Sequence, residues 1–213
     1  MATDARPRQE EDKAWLLRAL LVLQSPRAVF AALRDDSDEA ASARQEPLIA
    51  LVWLAGMAAV LAAPAMNDVM DDPARDAIIV AIVVFFAGGI YGVAAYWLLG
   101  GILHLSVRRF GSQGSYRRTR HLLGFAAAPL ALALLTFWPV RIAVEGRDLF
   151  RYGGSDGGGH VFADLFYVFV AWTVVLVAIG VRTVHGWSRG RSLAAVGAAT
   201  ALAALVVLGS SIL

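Results

Sequence analysis

The sequence contains no cysteine, a single lysine and few charged residues. Without cysteine the chain of 213 residues holds no disulfide, thiolate zinc site, iron–sulfur cluster or thiol nucleophile. Charged residues make up 17% of the chain, against about 25% in ordinary soluble domains, and 58% of the residues are hydrophobic. One soluble core of this size cannot bury so much apolar surface, so the composition indicates a polytopic membrane protein. The preference for arginine over lysine is typical of a GC-rich, and hence bacterial, coding sequence.

Long apolar runs predict the fold class. A helix needs about 20 apolar residues to cross a hydrocarbon core about 30 Å thick. We therefore expect an all-α fold: a cytoplasmic tail over residues 1–47 that carries amphipathic interfacial helices, then a polytopic transmembrane bundle of five spans over 48–213. The spans are expected at about 48–66, 77–103, 122–140, 161–181 and 192–213. The second run is too long for one straight crossing, so we expect it to leave the bilayer near Gly100 as a helical extension.

Basic residues are concentrated on alternate loops. The N-terminal tail and the second and fourth loops hold 15 of the 19 basic residues, and the first and third loops hold the other 4. Lysine and arginine are retained on the cytoplasmic side of a membrane. The sequence therefore predicts a multi-pass protein of the inner (plasma) membrane, with a cytoplasmic N-terminus and an extracytoplasmic C-terminus.

The N-terminal tail has two short helical patterns. Apolar residues at helical spacing over 14–23 predict an amphipathic helix, and the acidic residues before it argue against a signal peptide. Ser25 and Pro26 form an N-cap followed by proline at the first helical position, which predicts a second helix to about Arg34. Residues 35–46 are interpreted as a polar linker.

Small residues and one proline predict how the spans pack. Glycines let helices approach closely, and the predicted packing positions are Gly88, Gly92, Gly124 and Gly197. The fourth span is bulkier, so we expect it to be more peripheral. Pro129 lies inside the third span and predicts a helix kink, either for packing or as a hinge.

The second loop is the richest polar stretch. It contains Arg108, Arg109, Arg117, Arg118, Arg120 and His121. These side chains suit contacts with anionic lipid headgroups or an acidic partner, although the loop also serves as a topology signal. A short loop held at the membrane does not suit nucleic acid. We expect no metal and no cofactor, because the acidic residues of the third loop lack ligand spacing.

Ionisable residues within the spans lie only at span ends. Pumps and carriers of charged substrates usually place such groups near the midplane, and no catalytic set appears at helical spacing. We therefore expect a non-enzymatic integral membrane protein that acts as a scaffold or binds partners. Its expected partners are membrane lipids and a protein, which includes a second copy of itself. The alternative is a transporter or channel subunit for a small or lipid-like substrate, with the Pro129 kink as its gate.

Three stretches resemble the bacterial branch of the Yip1 domain family. They are Ser25–Phe30, His121–Pro129 with its Gly-aromatic-Ala pattern and proline, and Val184–Ala195 at the entry to the last span. The resemblance covers roughly 25–213 and implies a five-span integral membrane protein. Eukaryotic relatives bind Rab GTPases in vesicle traffic. Their acidic-aromatic Asp-Leu-Tyr-Gly-Pro stretch is absent here and bacteria have no Rab cycle, so that role is not expected.

Overall fold

The computed structural model describes residues 21–70, 72, 76–146, 149 and 160–210, and these are helical apart from short connections, without a strand among them. The helices are α1 (Pro26–Ala32), α2 (Asp38–Leu61), α3 (Pro64–Met70), α4 (Ala77–Arg109), α5 (Tyr116–Ala126), α6 (Ala128–Glu145), α7 (His160–His185) and α8 (Arg189–Ser210). The all-α prediction is therefore confirmed for the described part of the chain.

Helix α1 begins where the sequence predicted. Ser25 occupies the N-cap position and Pro26 the first turn, although the Ser25 side chain makes no capping hydrogen bond. Phe30 and Leu33 are almost completely buried within the protein. The preceding amphipathic pattern, over residues 14–23, lies largely outside the described residues. Residues 21–24, where the description begins, are helical. Whether either helix lies at a membrane interface therefore stays a prediction.

Helix α2 corrects the predicted linker and first span. It begins at Asp38, so most of the expected linker over 35–46 is helical, and it ends at Leu61 rather than near 66. Ser37 Oγ accepts the backbone N–H of Ala40 at 3.3 Å, which caps the first turn. Asp38 and Glu39 then place negative charge at the positive end of the helix dipole. These start signals outweigh the polar composition of the stretch.

Helix α4 is one continuous element of 33 residues. At about 1.5 Å per residue it is about 50 Å long, well beyond a hydrocarbon core of about 30 Å. The helix passes Gly100 and Gly101 without a break and ends at Arg109. The predicted helical extension after the second span is present, and where it leaves the bilayer stays a prediction.

The third span is interrupted at Ala127. Helix α5 ends at Ala126 and α6 starts at Ala128, with Pro129 in its first turn. Proline lacks an N–H and its ring displaces the carbonyl of the residue four positions earlier, so the helix cannot continue unchanged through this point. The Ala127 carbonyl instead accepts the N–H groups of Leu130 and Ala131, at 3.0 and 3.2 Å. The structure thus places the expected irregularity two residues before Pro129.

By length and composition, four helical stretches among the described residues can cross a membrane. They are Asp38–Leu61, Ala77–Arg109, Tyr116–Glu145 and Val161–His185. In the last of these, 11% of the most apolar stretch is buried within the protein, which is the lowest share of the four. This low burial fits the peripheral position expected for the fourth span. The predicted fifth span corresponds to α8 and is not among the four, so the number of five spans stays a prediction.

The chain divides into two compact units, each with its own core. Of the described residues, the first contains 21–50, 99–126 and 176–210, and the second contains 51–70, 72, 76–98, 127–146, 149 and 160–175. In the second unit, Phe137 lies at the centre of an aromatic group, with its ring 5.5 to 6.1 Å from four others. Those rings belong to Trp138, Phe162, Phe166 and Phe169. Large side chains therefore fill the space between α6 and α7.

Glycines bring α2 and α4 into backbone contact within the second unit. A Cβ on Gly88 would lie 2.5 Å from the Cα of Met57, and one on Gly92 would lie 2.4 Å from the Val52 carbonyl oxygen. Both glycines thus lie at a close contact between the two helices. Gly124 is buried in α5. Gly197 is exposed, and a Cβ there would meet no described atom within 4 Å, so the described residues supply no packing partner for it.

Candidate functional site

An acidic turn precedes α2 in the first unit. Asp35 Oδ1 accepts the backbone N–H of Ser37 at 3.1 Å, which closes a tight local turn. Arg44, on α2, donates from Nη2 to the carbonyls of Ala32 and Asp35, at 3.0 and 2.9 Å. The turn is thus bonded from both sides, and it holds the carboxylates of Asp36 and Asp38 in place.

Arg117 of α5 binds this turn through three of its nitrogens. Its Nε donates to Asp36 Oδ1 at 3.1 Å and its Nη1 donates to Asp38 Oδ1 at 2.6 Å. Its Nη2 also donates to the Asp36 main-chain carbonyl. Planar guanidinium groups suit several acceptors at once, which lysine does not.

Arg118 and Ser115 complete the same contact. Arg118 Nη2 donates to the Arg34 carbonyl at 2.9 Å, and its Nε lies 3.9 Å from Asp36 Oδ2. The Ser115 hydroxyl donates to the Asp36 carboxylate and also accepts the backbone N–H of Arg118 at 3.0 Å. We call Asp36, Asp38, Ser115, Arg117 and Arg118 the ion-pair cluster.

Asp36 is the electrostatic centre of the ion-pair cluster. Burial raises the pKa of its carboxyl, but hydrogen bonds from Ser115 and Arg117 and the nearby arginine charges outweigh burial, so the pKa lies below its ordinary value of 3.8. The pKa of Asp35 is also lowered, chiefly by the backbone hydrogen bond from Ser37. Both carboxylates are therefore charged at neutral pH.

The loop after α4 is held by the start of α8 and the end of α7. Gly111 has φ of +86°, a conformation that favours glycine, and it turns the chain after the helix. Arg191 Nε donates to the Phe110 carbonyl at 2.9 Å, and its guanidinium lies 4.3 Å from the Trp187 ring centre. The Ser112 hydroxyl lies 3.2 Å from His185 Nδ1. The first unit therefore gathers three chain segments at one polar region.

The structure separates the residues that the sequence grouped into one contact site. Arg117 and Arg118 are engaged by the chain's own acidic turn, whereas Arg108 and Arg109 are exposed at the end of α4. Arg120 lies over the Tyr116 ring at 5.4 Å. His121 is buried, with 5% of its surface exposed, so it does not belong to an outer contact surface.

Sequence reasoning missed the partners of the arginines. Asp36 and Asp38 lie about 80 residues from Arg117 in the chain, inside the stretch for which composition predicts a polar linker. The available signal was charge alone: three aspartates within residues 35–38 have the sign opposite to that of the Arg117-Arg118 pair. Local spacing gives no means of pairing such distant segments.

The described residues contain no cluster of metal ligands. No group of three or more potential metal ligands occurs among them. His104 lies at the end of a predicted span, and its Nδ1 is 3.4 Å from the Thr119 hydroxyl, which gives the ring a hydrogen-bond partner. Glu145 forms an ion pair with Arg141 at 2.9 Å. Two other acidic residues of the predicted third loop, Asp148 and Asp156, lie outside the described residues.

Long apolar helices with their ion pairs near the helix ends define a multi-pass integral membrane protein. A model of the Yip1 domain family matches residues 20–211, and the chain belongs to this family. A search of curated proteins found no match, and neither did a search of solved structures.

Proposed function

We propose that the protein is a non-enzymatic scaffold of the bacterial inner membrane that binds a partner through the polar region of its first unit. The ion-pair cluster carries this proposal. It joins the acidic turn before α2 to the start of α5, and the Arg191 contact adds the start of α8. A loop that served only as a topology signal would need basic residues but no such fixed arrangement.

The exposed arginines at the end of α4 are the best candidates for the contact itself. Arg108 and Arg109 are both exposed at the C-terminal end of α4. Exposed arginines suit an acidic protein surface because they offer planar, multiple hydrogen-bond donors at low desolvation cost. Arg117 and Arg118 instead hold the surface in shape.

Packing in the second unit favours a scaffold over a transporter. The Phe137 aromatic group fills the space between α6 and α7, where a polar pathway would need water or hydrophilic side chains. Pro129 is completely buried, and Ala128 is 3% exposed. The helix interruption is therefore packed against protein, as expected for a structural kink rather than a gate.

Cross-linking in intact membranes tests the proposal. Full-length protein with Arg108→Ala and Arg109→Ala is compared with wild type and with Arg189→Ala, an exposed arginine outside the α4 end. We expect a discrete cross-linked partner, either another protein or a differently tagged second copy, that the double variant loses and the control retains. An unchanged cross-linking pattern in the double variant would overturn the assignment of this surface.

A further inference from the structure

A cavity of about 330 Å³ lies in the first unit. Three arginines line it, one from α1, one from the connection after α1 and one from the end of α7. The three arginines are Arg27, Arg34 and Arg182, and the uncharged lining residues include Ile179, Thr183 and Trp187. None of the described residues that line it is acidic. We call this site the arginine cavity.

The arginines have donors available for an anion. Arg34 donates from Nε and Nη2 to the Thr183 carbonyl, at 3.1 and 2.6 Å, and its Nη1 donors make no hydrogen bond to a described residue. Among the described residues, Arg27 and Arg182 form no side-chain hydrogen bond and no ion pair of 4.0 Å or less. Uncompensated cations that share one concave surface attract a compact anion strongly.

Carbonyl groups at the C-terminal end of α7 are hydrogen-bonded, which lowers their repulsion of an anion in the cavity. Free carbonyls at a helix C-terminus repel an anion. Here the Thr183 carbonyl accepts from Arg34, and the Arg182 carbonyl accepts the backbone N–H of Trp187 at 3.2 Å. Gly186 has φ of +65°, which allows the chain to turn back and make this second bond. The carbonyls of these two lining residues are therefore already bonded.

The remaining walls are apolar. Ile179 and Trp187 line the cavity beside the arginines, and the cavity lies at the end of a helix long and apolar enough to cross a membrane. Tryptophan is enriched at membrane–water interfaces, where its ring contacts both apolar and polar material. Basic and apolar walls side by side suit an amphipathic ligand with an anionic head.

We propose that the arginine cavity binds a phosphate group, supplied by the headgroup of an anionic phospholipid or by a soluble phosphate ester. Arg27 and Arg182 contact the phosphate oxygens, and Arg34 joins them through Nη1. Ile179 and Trp187 lie against the glycerol or acyl part of the lipid. This site is separate from the partner surface at Arg108 and Arg109, and it does not depend on a protein partner.

The test uses full-length protein in mild detergent, titrated with a short-chain phosphatidylglycerol and monitored by native mass spectrometry. The variant Arg27→Gln/Arg182→Gln removes two cavity charges. The control Arg189→Gln removes one exposed charge that does not line the cavity. A basic residue near an anionic headgroup contributes about a fivefold change in affinity, so we expect the cavity variant to bind roughly 10- to 30-fold more weakly and the control to bind like wild type. Thermal unfolding of all three proteins checks that they are equally folded.

A second titration with glycerol phosphate identifies the source of the phosphate. Competition between glycerol phosphate and the lipid supports the cavity as a phosphate site with soluble access, and lipid binding without competition supports the membrane source. The same loss of affinity per removed charge in the control as in the cavity variant would mean nonspecific attraction to arginine and would overturn the proposal. Absence of lipid and phosphate adducts from the wild-type protein would overturn it as well. If the cavity variant unfolds, Arg27→Lys/Arg182→Lys replaces it, and we expect weaker binding because lysine lacks the guanidinium fork.

Discussion

Gly56 of α2 and Gly88 of α4 lie in direct backbone contact. A Cβ added to Gly56 would lie 2.1 Å from the Gly88 carbonyl oxygen, and 2.7 Å from the Cα of Gly92. Both distances are below what real Cβ contacts show, and neither neighbouring atom can move without moving a helix. Van der Waals packing at such contacts is a main source of helix association in lipid.

Gly56→Ala is therefore expected to destabilise the second unit by about 1–3 kcal/mol, as overpacking does in other cores. The measurement is the free energy of unfolding in mixed detergent micelles. Gly197→Ala is the matched control, because a Cβ there meets no described atom within 4 Å. An equal loss of stability in both variants would show that the contact has no special role.

The ion-pair cluster predicts unequal effects for its two aspartates. Asp36 is 16% exposed and accepts from Ser115 and Arg117, whereas Asp38 is 95% exposed. Removing a charged acceptor from a partly buried network costs about 1.5–3 kcal/mol, but an exposed ion pair contributes about 0–1 kcal/mol. We expect Asp36→Asn to lower the free energy of unfolding measurably and Asp38→Asn to leave it nearly unchanged. The reverse order would contradict the geometry.

Acid should weaken the same cluster. Because the folded-state pKa values of Asp35 and Asp36 lie below 3.8, their charged forms stabilise the fold above that pH, and this contribution is lost as pH falls through the lowered values. We expect little change from these groups between about pH 7 and pH 5, and a loss of stability below about pH 4. Asp36→Asn should show a smaller acid-induced loss than wild type. An equal loss would mean that other carboxylates account for the acid sensitivity.

Local sequence rules predicted the irregularity near Pro129 and the start of α1 at Pro26, because a proline acts on its own few neighbours. The start of α2 was predicted wrongly, since a cap at Ser37 is a weak signal inside a polar stretch. Gly56 was missed because it has no small residue four positions away in its own helix, and its partners lie on α4. The pairing of Arg117 with Asp36 depends on tertiary structure alone.

Phe137 is expected to be the most sensitive aromatic position in the second unit. It is 9% exposed and its ring contacts residues of both α6 and α7. Phe137→Ala should destabilise by roughly 2–4 kcal/mol, somewhat below the value for water-soluble cores, because lipid also solvates apolar groups. Leu135→Ala, at a site 62% exposed, should have a small effect under the same conditions. Similar losses at both sites would argue against the aromatic group as a packing centre.

Reporter fusions decide whether α8 crosses the membrane. With four spans, both chain ends lie on one side, whereas a crossing by Arg189–Ser210 places the C-terminus on the opposite side from the N-terminus. After Arg191 this helix has no charged residue, and 15 of the 19 basic residues lie in the segments predicted to be cytoplasmic. We therefore expect alkaline phosphatase fused after Leu213 to be active, and the same enzyme fused after Gly114 to be inactive.

Fusion of green fluorescent protein at both sites gives the complementary readout. Fluorescence from the Leu213 fusion with an inactive phosphatase there would reduce the count to four spans.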